Sequence, residues 1–569
     1  MRGYTVQLEN TADYSFILDQ KLDFITPGLS VKGTFSLVSY FSNFIRRDMH
    51  DQKIVYWRPF ENPDGTVDFY QVKQSALPLN NTQQGKYRKE YYEFALNYNR
   101  TFSEKHSVTA LALFNASKSH FTESYWNEIP RSYLGIVGRL TYNYAYRYML
   151  EYNLGYNGSE NFAEGMRFGF FPAYSAGWTF TEEPWLQAVI GTRILAYGKF
   201  RVSYGMVGND RMYQRFLYLP DKYGMNNYGY AGWFDYGVNF GIPGEVNNNP
   251  VAYQGAAGNP NVTWEKSRKI NFGTDLTFFE NLVSVKFDYF TENRKDILIN
   301  QRVVPIYQQT GALALNLGQV ENKGYEIEVG LNKTIKNTRF WIDVNYSFAR
   351  NKIIEMDEPE QPYDYRMQTG KRVGEIWGYK QGGILMTIEE ADAYREQLWQ
   401  TYSTLNPGAN KNDYQAYQIF NSGYDVSAGD LKFIDRNGDG LINNMDEGFL
   451  DTPNFPESMF ALKTGFEHKG FSVSVLLQGA SNFSVNTRTN YNPTPARGTV
   501  LDFVLNRYTP ERYEAGEKIE YPRLVNTNDN WKYVGSFWVQ DATYLRVKNV
   551  EIGYTFGSSS RFIRTLGLD

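Results

Sequence analysis

The residues richest in chemistry lie between Asp435 and Asp446. Asp435, Asn437 and Asp439 stand two apart, Gly440 follows, and Asp446 closes the run at its twelfth position. This spacing fits a calcium loop of the EF-hand type. Such a loop places side-chain oxygens at positions 1, 3, 5 and 12, a backbone carbonyl at 7 (here Leu441), and glycine at 6 for the sharp turn. Asn443, at position 9, can act through a bridging water. The pattern departs from the full motif in two ways. Asp stands where a bidentate Glu is usual, and strands rather than helices flank the loop. The competing reading is a set of Asx turns with carboxylates facing water. On either reading the role is structural, pinning the loop ahead of a strand at Met459–Phe466. Calcium is the one cofactor this pattern suggests, and none is required.

Other reactive groups assemble into nothing comparable. The four histidines are His50, His106, His120 and His468, and two of them fall in or beside short turns. No Ser-His-Asp arrangement can be built from their spacing. Glu182-Glu183 and Glu389-Glu390 read as solvated charges rather than a catalytic pair. No set of residues meets the requirements of an active site, so an enzyme is not expected. Gly382-Gly383 has no Gly-x-Gly-x-x-Gly or Walker pattern around it, so no nucleotide site is expected. Trp57, Trp126, Trp233, Trp377, Trp399 and Trp531 lie in or near long loops, where indole faces could stack on sugar rings. Packing within the loops, or an aromatic girdle at a membrane interface, explains any one of them more simply. The chain has no cysteine, which excludes disulfides and thiolate metal sites. Its net charge is −4 with no basic stripe, so nucleic acid is not an expected partner.

The elements that position these residues are β-strands. From Tyr133 to Phe180 three strands run in one phase. Leu134, Ile136, Leu140 and Tyr142 alternate with Gly135, Val137, Arg139 and Thr141. Tyr148, Leu150, Tyr152, Leu154 and Tyr156 continue the pattern, and Phe168, Phe170, Tyr174 and Trp178 resume it after a polar loop. A period of two puts alternate side chains on opposite faces. About 15 such strands can be counted, from Tyr14–Phe24 to Tyr544–Phe556. The last changes phase near Asn549, as a bulge would make it do. Short connections at 25–28, 103–106, 143–147, 182–193, 279–282, 335–338 and 467–470 alternate with long polar ones. The longest insertion, 355–431, carries the one good helix signal. This is the capping box Thr387-Ile-Glu-Glu390, opening a helix to about Tyr402.

Aromatic residues make up 17% of the chain, yet its mean hydropathy is −0.52. No apolar run is long enough for a membrane helix. Both facts suit an all-β, antiparallel transmembrane β-barrel, with short periplasmic turns and long extracellular loops. An odd strand number would leave edges unpaired in lipid, so further strands are expected beyond those counted.

Several stretches resemble the SusC/RagA-like family of TonB-dependent outer-membrane transporters of Bacteroidetes. They are Phe24–Gly33, Gly155–Ala163, Arg167–Pro172 with Ser175–Trp178, Asn259-Pro260 through Thr263–Lys266, Val320–Tyr325, Asn351–Glu355, Asp435–Gly440, and Tyr544–Asn549 with Gly553–Phe556. They occur in the family's order across essentially the whole chain. The resemblance implies a barrel of roughly 22 strands in its complete form, of which residues 1–569 would be a middle-to-late portion. It implies a signal peptide, a small β-sandwich, a TonB box and a plug domain, none of which is visible here. It also implies cell outer-membrane localisation, a SusD-like surface lipoprotein and TonB as partners, and uptake of a glycan or a peptide. The rival expectations are a passive porin or adhesion barrel, and a non-functional fragment.

Overall fold

The computed structural model describes residues 4–47, 57–71, 80–121, 129–190, 193–212, 215–220, 223–226, 238–239, 248–249, 251–254, 257–304, 313–420, 424–488, 502–525 and 529–556. Fifteen antiparallel strands follow one another in chain order in one sheet. They are β1 (Tyr4–Lys21), β2 (Leu29–Arg47), β3 (Asn80–Phe102), β4 (His106–Phe121), β5 (Arg131–Tyr144), β6 (Tyr148–Ser159), β7 (Phe168–Trp178), β8 (Leu195–Asn209), β9 (Glu265–Phe278), β10 (Val283–Asn300), β11 (Ala314–Ile335), β12 (Thr338–Glu355), β13 (Ser458–His468), β14 (Phe471–Ser481) and β15 (Tyr544–Tyr554). The strand count agrees with the sequence reading. Phe24, read as the end of a strand, lies instead in the turn after β1. Among the described residues no helix is long and apolar enough to cross a membrane, which says nothing of strands.

Two compact units can be distinguished. The first comprises Met1–Ser175 and Val207–Trp264, the second Ala176–Met206 and Glu265–Asp569. In the first, register sorts side chains into rows. Tyr98, Ala110, Leu140 and Tyr152 stand side by side across β3 to β6, as do Phe94, Phe114, Ile136 and Tyr156. The opposite face carries polar rows such as Glu93–Asn115–Gly135–Asn157. Arg139 pairs with Glu151 there at 3.1 Å. The second unit repeats the arrangement. Phe272, Tyr289, Tyr325 and Phe348 form one apolar row. On its polar face Arg201 grips Asp275 with two hydrogen bonds of 3.0 Å and reaches Asp288 with a third of 3.0 Å. The apolar residues are largely exposed although they share one face. In water so extensive an apolar face would need covering.

Two of the tight turns are made without the usual residues. Ser103-Glu104 and Ala145-Tyr146 have φ of 48° and 55°, and 48° and 59°. Both pairs sit in three-residue connections, Ser103–Lys105 and Ala145–Arg147, where the left-handed geometry matches strand twist. The phase change in the last strand is a bulge. Leu476 and Leu477 oppose Asn549 and Val547, which leaves Lys548 extra.

The two long connections of the second unit are not open loops. Residues 356–457 and the described part of 482–543 fold onto one hydrophobic core. Tyr379, Tyr394, Leu398, Tyr417, Leu431, Phe433 and Ile442 come from the first segment, Trp531 and Trp538 from the second. Fully burying a large apolar side chain is worth roughly 1.5–3 kcal/mol, so this core can hold the two segments together. Short strand pairs brace it, Glu375–Tyr379 with Glu447–Pro453 and Gln381–Ile384 with Leu431–Phe433. The expected helix forms at Ile388–Leu405, one turn longer than the sequence suggested. The Thr387 hydroxyl accepts from Glu390 N at 3.2 Å. The Glu390 carboxylate accepts in return from Met386 N at 2.7 Å, one residue ahead of the usual capping-box partner. Further short helices, at Pro184–Ile190, Pro510–Glu514 and Asp529–Lys532, were not expected from the sequence, although Thr509-Pro510-Glu511 is a helix start.

Candidate functional site

The Asp-rich run sits on this loop core, and its side chains close a series of turns. Asp435 accepts from Gly438 N at 2.7 Å and Gly440 N at 2.8 Å. Asn437 accepts from Asp439 N, and Asp439 from Leu441 N. Gly440 has φ +78°, and a Cβ there would lie 2.4 Å from Tyr402 N. Only glycine permits that approach to the helix. Asp446 is wholly buried and gives one oxygen to Arg436 N at 2.7 Å and the other to Asn443 N at 2.9 Å. Burial raises its pKa, and the nearby charge of Asp435 adds to the rise. Positions 1, 3, 5 and 6 thus adopt the turn a calcium loop needs. The twelfth does not complete a cage, because both Asp446 oxygens are committed to backbone donors. Among the described residues no three carboxylates or imidazoles converge as a metal site.

Beside this turn lies a cavity of about 470 Å³ lined by Trp399, Tyr414, Arg395, Lys411, Gln415 and Asp425, among others. Trp399 meets Tyr414 edge-on, with ring centroids 5.2 Å apart. The Tyr414 hydroxyl donates to Gly440 O at 2.6 Å, which ties the cavity wall to the Asp-rich turn. Arg395 is paired with Asp392 and Asp425, and Lys411 with Glu396. Trp399 stays half-buried, so part of its ring remains available. The other loop tryptophans are used differently. Trp531 is wholly buried in the core, and Trp377 packs edge-on against Phe449 beneath Arg366. Trp57 opens the short strand Trp57–Glu61, and Trp126, Trp233 and His50 lie outside the described residues.

A second polar centre had no signal in the sequence. Asp430, wholly buried, accepts from Arg523 at 2.6 and 2.8 Å, Asn530 at 2.7 Å, Tyr424 at 2.9 Å and Ser427 N at 2.9 Å. Burial alone would lower the Arg523 pKa. The hydrogen bonds and charge of Asp430 outweigh it and raise the pKa above the ordinary value. These groups join the two long segments, Asp430 and Arg523 standing 93 positions apart. The expectation that Glu183 is solvated fails. It is buried, and it accepts from Trp178 Nε1 at 3.1 Å, which supplies the partner a buried carboxylate needs.

In the first unit, three of the stretches that carry the family resemblance meet in one knot. The Trp264 ring lies 5.3 Å from both Phe162 and Phe171. Its Nε1 donates to Arg167 O at 3.1 Å, and Arg167 Nε donates to Phe162 O at 3.2 Å. These motif residues fasten the long-loop ends of strands by packing and hydrogen bonding.

No family model matches the chain. TonB-dependent receptor P39 of Formosa agariphila is 25% identical over 96% of this chain and 53% of its own length. TonB-dependent receptor SusC of Bacteroides thetaiotaomicron is 24% identical over 74% of this chain and 37% of its own length. The chain therefore spans about half, or less, of the curated relatives it matches. Among solved structures, the RagAB peptide transporter superposes with a TM-score of 0.65 over 99% of this chain and 57% of that one. Their identity is 15%, so that likeness is one of fold. The named relatives are receptors and transporters, not enzymes. Along nearly the whole chain this protein is therefore similar in sequence to TonB-dependent receptors, SusC among them, and its antiparallel sheet is similar in fold to the RagAB transporter.

Proposed function

We propose that the chain is the barrel wall of an outer-membrane importer of oligosaccharides, driven through TonB and working with a SusD-like surface lipoprotein. The observation that carries the importer reading is the sheet's two-sidedness, apolar rows on one face and ion-paired rows on the other. Lipid suits the first face and an aqueous lumen the second. The apolar rows of the first unit run from Phe102–His106–Tyr144–Tyr148 to Tyr92–Ala116–Leu134–Gly158. Tyr92 to Phe102 covers roughly 34 Å at about 3.4 Å per residue. Tilted by about 40°, that gives a height of roughly 26 Å, against about 25 Å for the apolar band of such barrels.

The Trp399 cavity supports a sugar substrate. A partly exposed indole beside groups that donate and accept hydrogen bonds suits a ring with alternating C–H and O–H faces. A second reading, peptide uptake, is favoured by the charges of Arg395, Lys411 and Asp425 in the same cavity, which could meet a zwitterionic backbone. The test is binding of labelled oligosaccharide and peptide pools to outer membranes carrying the chain, tagged in the Leu405–Asn412 loop. Oligosaccharide binding that falls about tenfold in Trp399→Ala is expected, a loss of roughly 1.4 kcal/mol. Retention of peptides alone would replace the substrate class, and no binding of either would remove the importer reading.

We further propose that Asp435, Asn437, Asp439, the Leu441 carbonyl and Asp446 hold a structural Ca²⁺. The spacing and the formed turn support it. Binding would require Asp446 to release one of its two backbone donors.

A further inference from the structure

The register of β3 to β6 reveals a feature at the edge of the apolar face. The row Phe94–Phe114–Ile136–Tyr156 is large throughout and exposed. The next row toward the long loops alternates large and small, Tyr92–Ala116–Leu134–Gly158. The row after that is polar, Glu90–Lys118–Ser132. Ala116 is a low point between the larger Tyr92 and Leu134, so a depression opens where the apolar face ends. Gly158 is buried, with the Phe168 ring 2.6 Å from where its Cβ would stand, so that ring walls the depression on this side. The cavity measures about 490 Å³, and its lining includes Tyr92, Ala116, Leu134, Phe168, Lys118 and Arg167.

The charges at its rim are unequal in their commitments. Glu90 is paired with Arg88 at 2.8 Å, and Glu160 with Arg215. Lys118 has no ion-pair or hydrogen-bond partner among the described residues. Among the described residues Arg167 spends only Nε, on Phe162 O, which leaves both terminal amino groups. Both cations are exposed. An apolar floor beneath two uncommitted cations, at the level where lipid tails give way to headgroups, is complementary to a phosphate joined to acyl chains.

We propose that this groove seats an anionic, phosphate-bearing lipid of the outer leaflet. An acyl segment lies over Ala116, between Tyr92, Leu134 and the Phe168 ring, and the phosphate lies between Lys118 and Arg167. The inference rests on the membrane reading of the apolar face. Its occupant is the surrounding leaflet because the groove is continuous with that face and opens at its boundary.

The test is native mass spectrometry of the full chain, purified in detergent and given bisphosphorylated lipid A or the same lipid after phosphatase treatment. Retention of the phosphorylated form is expected. It should fall about thirtyfold in Lys118→Gln/Arg167→Gln, the loss of two near-surface charges. Ala116→Trp, which fills the floor and leaves the charge alone, should also release the lipid. Millimolar inorganic phosphate should not compete. Equal retention of both lipids, equal retention by both variants, or full competition by free phosphate would each overturn the proposal. Because the chain has no cysteine, Leu140→Cys can be labelled uniquely and probed with lipid-soluble and water-soluble quenchers. Lipid access at residue 140 with charge-independent retention removes the groove alone. Water access there removes the membrane reading and the groove with it.

Discussion

At the scale of single residues, the most consequential groups are those the fold has removed from water. Asp430 concentrates five hydrogen bonds on one buried carboxylate and neutralises Arg523. Removing one partner of a buried pair strands the other charge. Asp430→Ala is therefore expected to cost about 3–5 kcal/mol in the loop core. Denaturant unfolding followed by Trp531 and Trp538 emission would measure it, and a loss under about 1 kcal/mol would reduce the pair to a surface ion pair. The Asp-rich turn poses a different question. Its three carboxylates crowd one turn, with the Asp446 pKa raised by burial. A divalent cation would offset that cost. Calcium is expected to raise the unfolding midpoint of the loop core, EDTA to lower it, and Asp435→Ala to abolish both responses. An EDTA-insensitive midpoint would leave a turn held by its own backbone hydrogen bonds.

At the scale of elements, two kinds of local structure behaved differently. Strands announced themselves, because alternation is written into consecutive residues. Their turns did not, because Ser103-Glu104 and Ala145-Tyr146 lack the Asn-Gly or Asp-Gly signature and are held left-handed by the strands they join. The long insertions were read as loops with one helix. Their core is built from residues scattered across 379–442 and 531–538, with no period to find. That core is rich in tyrosine, which gives it a pH dependence. Burial, and then the charge of Asp446, pushes Tyr365 up to about 12, and burial raises Tyr379, Tyr394, Tyr414 and Tyr424 further. In the unfolded chain these groups ionise near about pH 10. Folded pKa values above unfolded ones mean stability that is complete below about pH 10 and lost as pH rises through the folded values. The denaturation midpoint of the loop core should fall steeply between about pH 10 and about pH 12. A flat profile there would contradict the burial of these hydroxyls.

At the scale of the whole molecule, the sheet's two faces make opposite predictions for the same substitution. Leu140 lies in the middle of an apolar row, and its neighbour Thr141 lies on the polar face. Leu140→Arg should cost about 2–4 kcal/mol in lipid, and Thr141→Arg little. Folded yield in vesicles, read by heat-modifiable gel mobility, compares them, and equal yields would remove the lipid-facing assignment. The sequence alone determined the strands, their number, the alternation of short and long connections, the bulge near Asn549 and the family resemblance. All of these are recorded in near neighbours or in contiguous motifs. It also marked Asp435 to Asp446 as a turn with calcium spacing. Only the tertiary structure decided that Glu183 and Trp531 are buried, that Trp399 keeps an accessible ring beside a cavity, and that Asp446 spends both oxygens on backbone donors. It alone joined Asp430 to Arg523 and aligned Tyr92, Ala116, Leu134 and Gly158 into a groove. Each of these depends on which distant strand or segment lies alongside. That is fixed by register and packing across tens of residues, and local composition carries no trace of it.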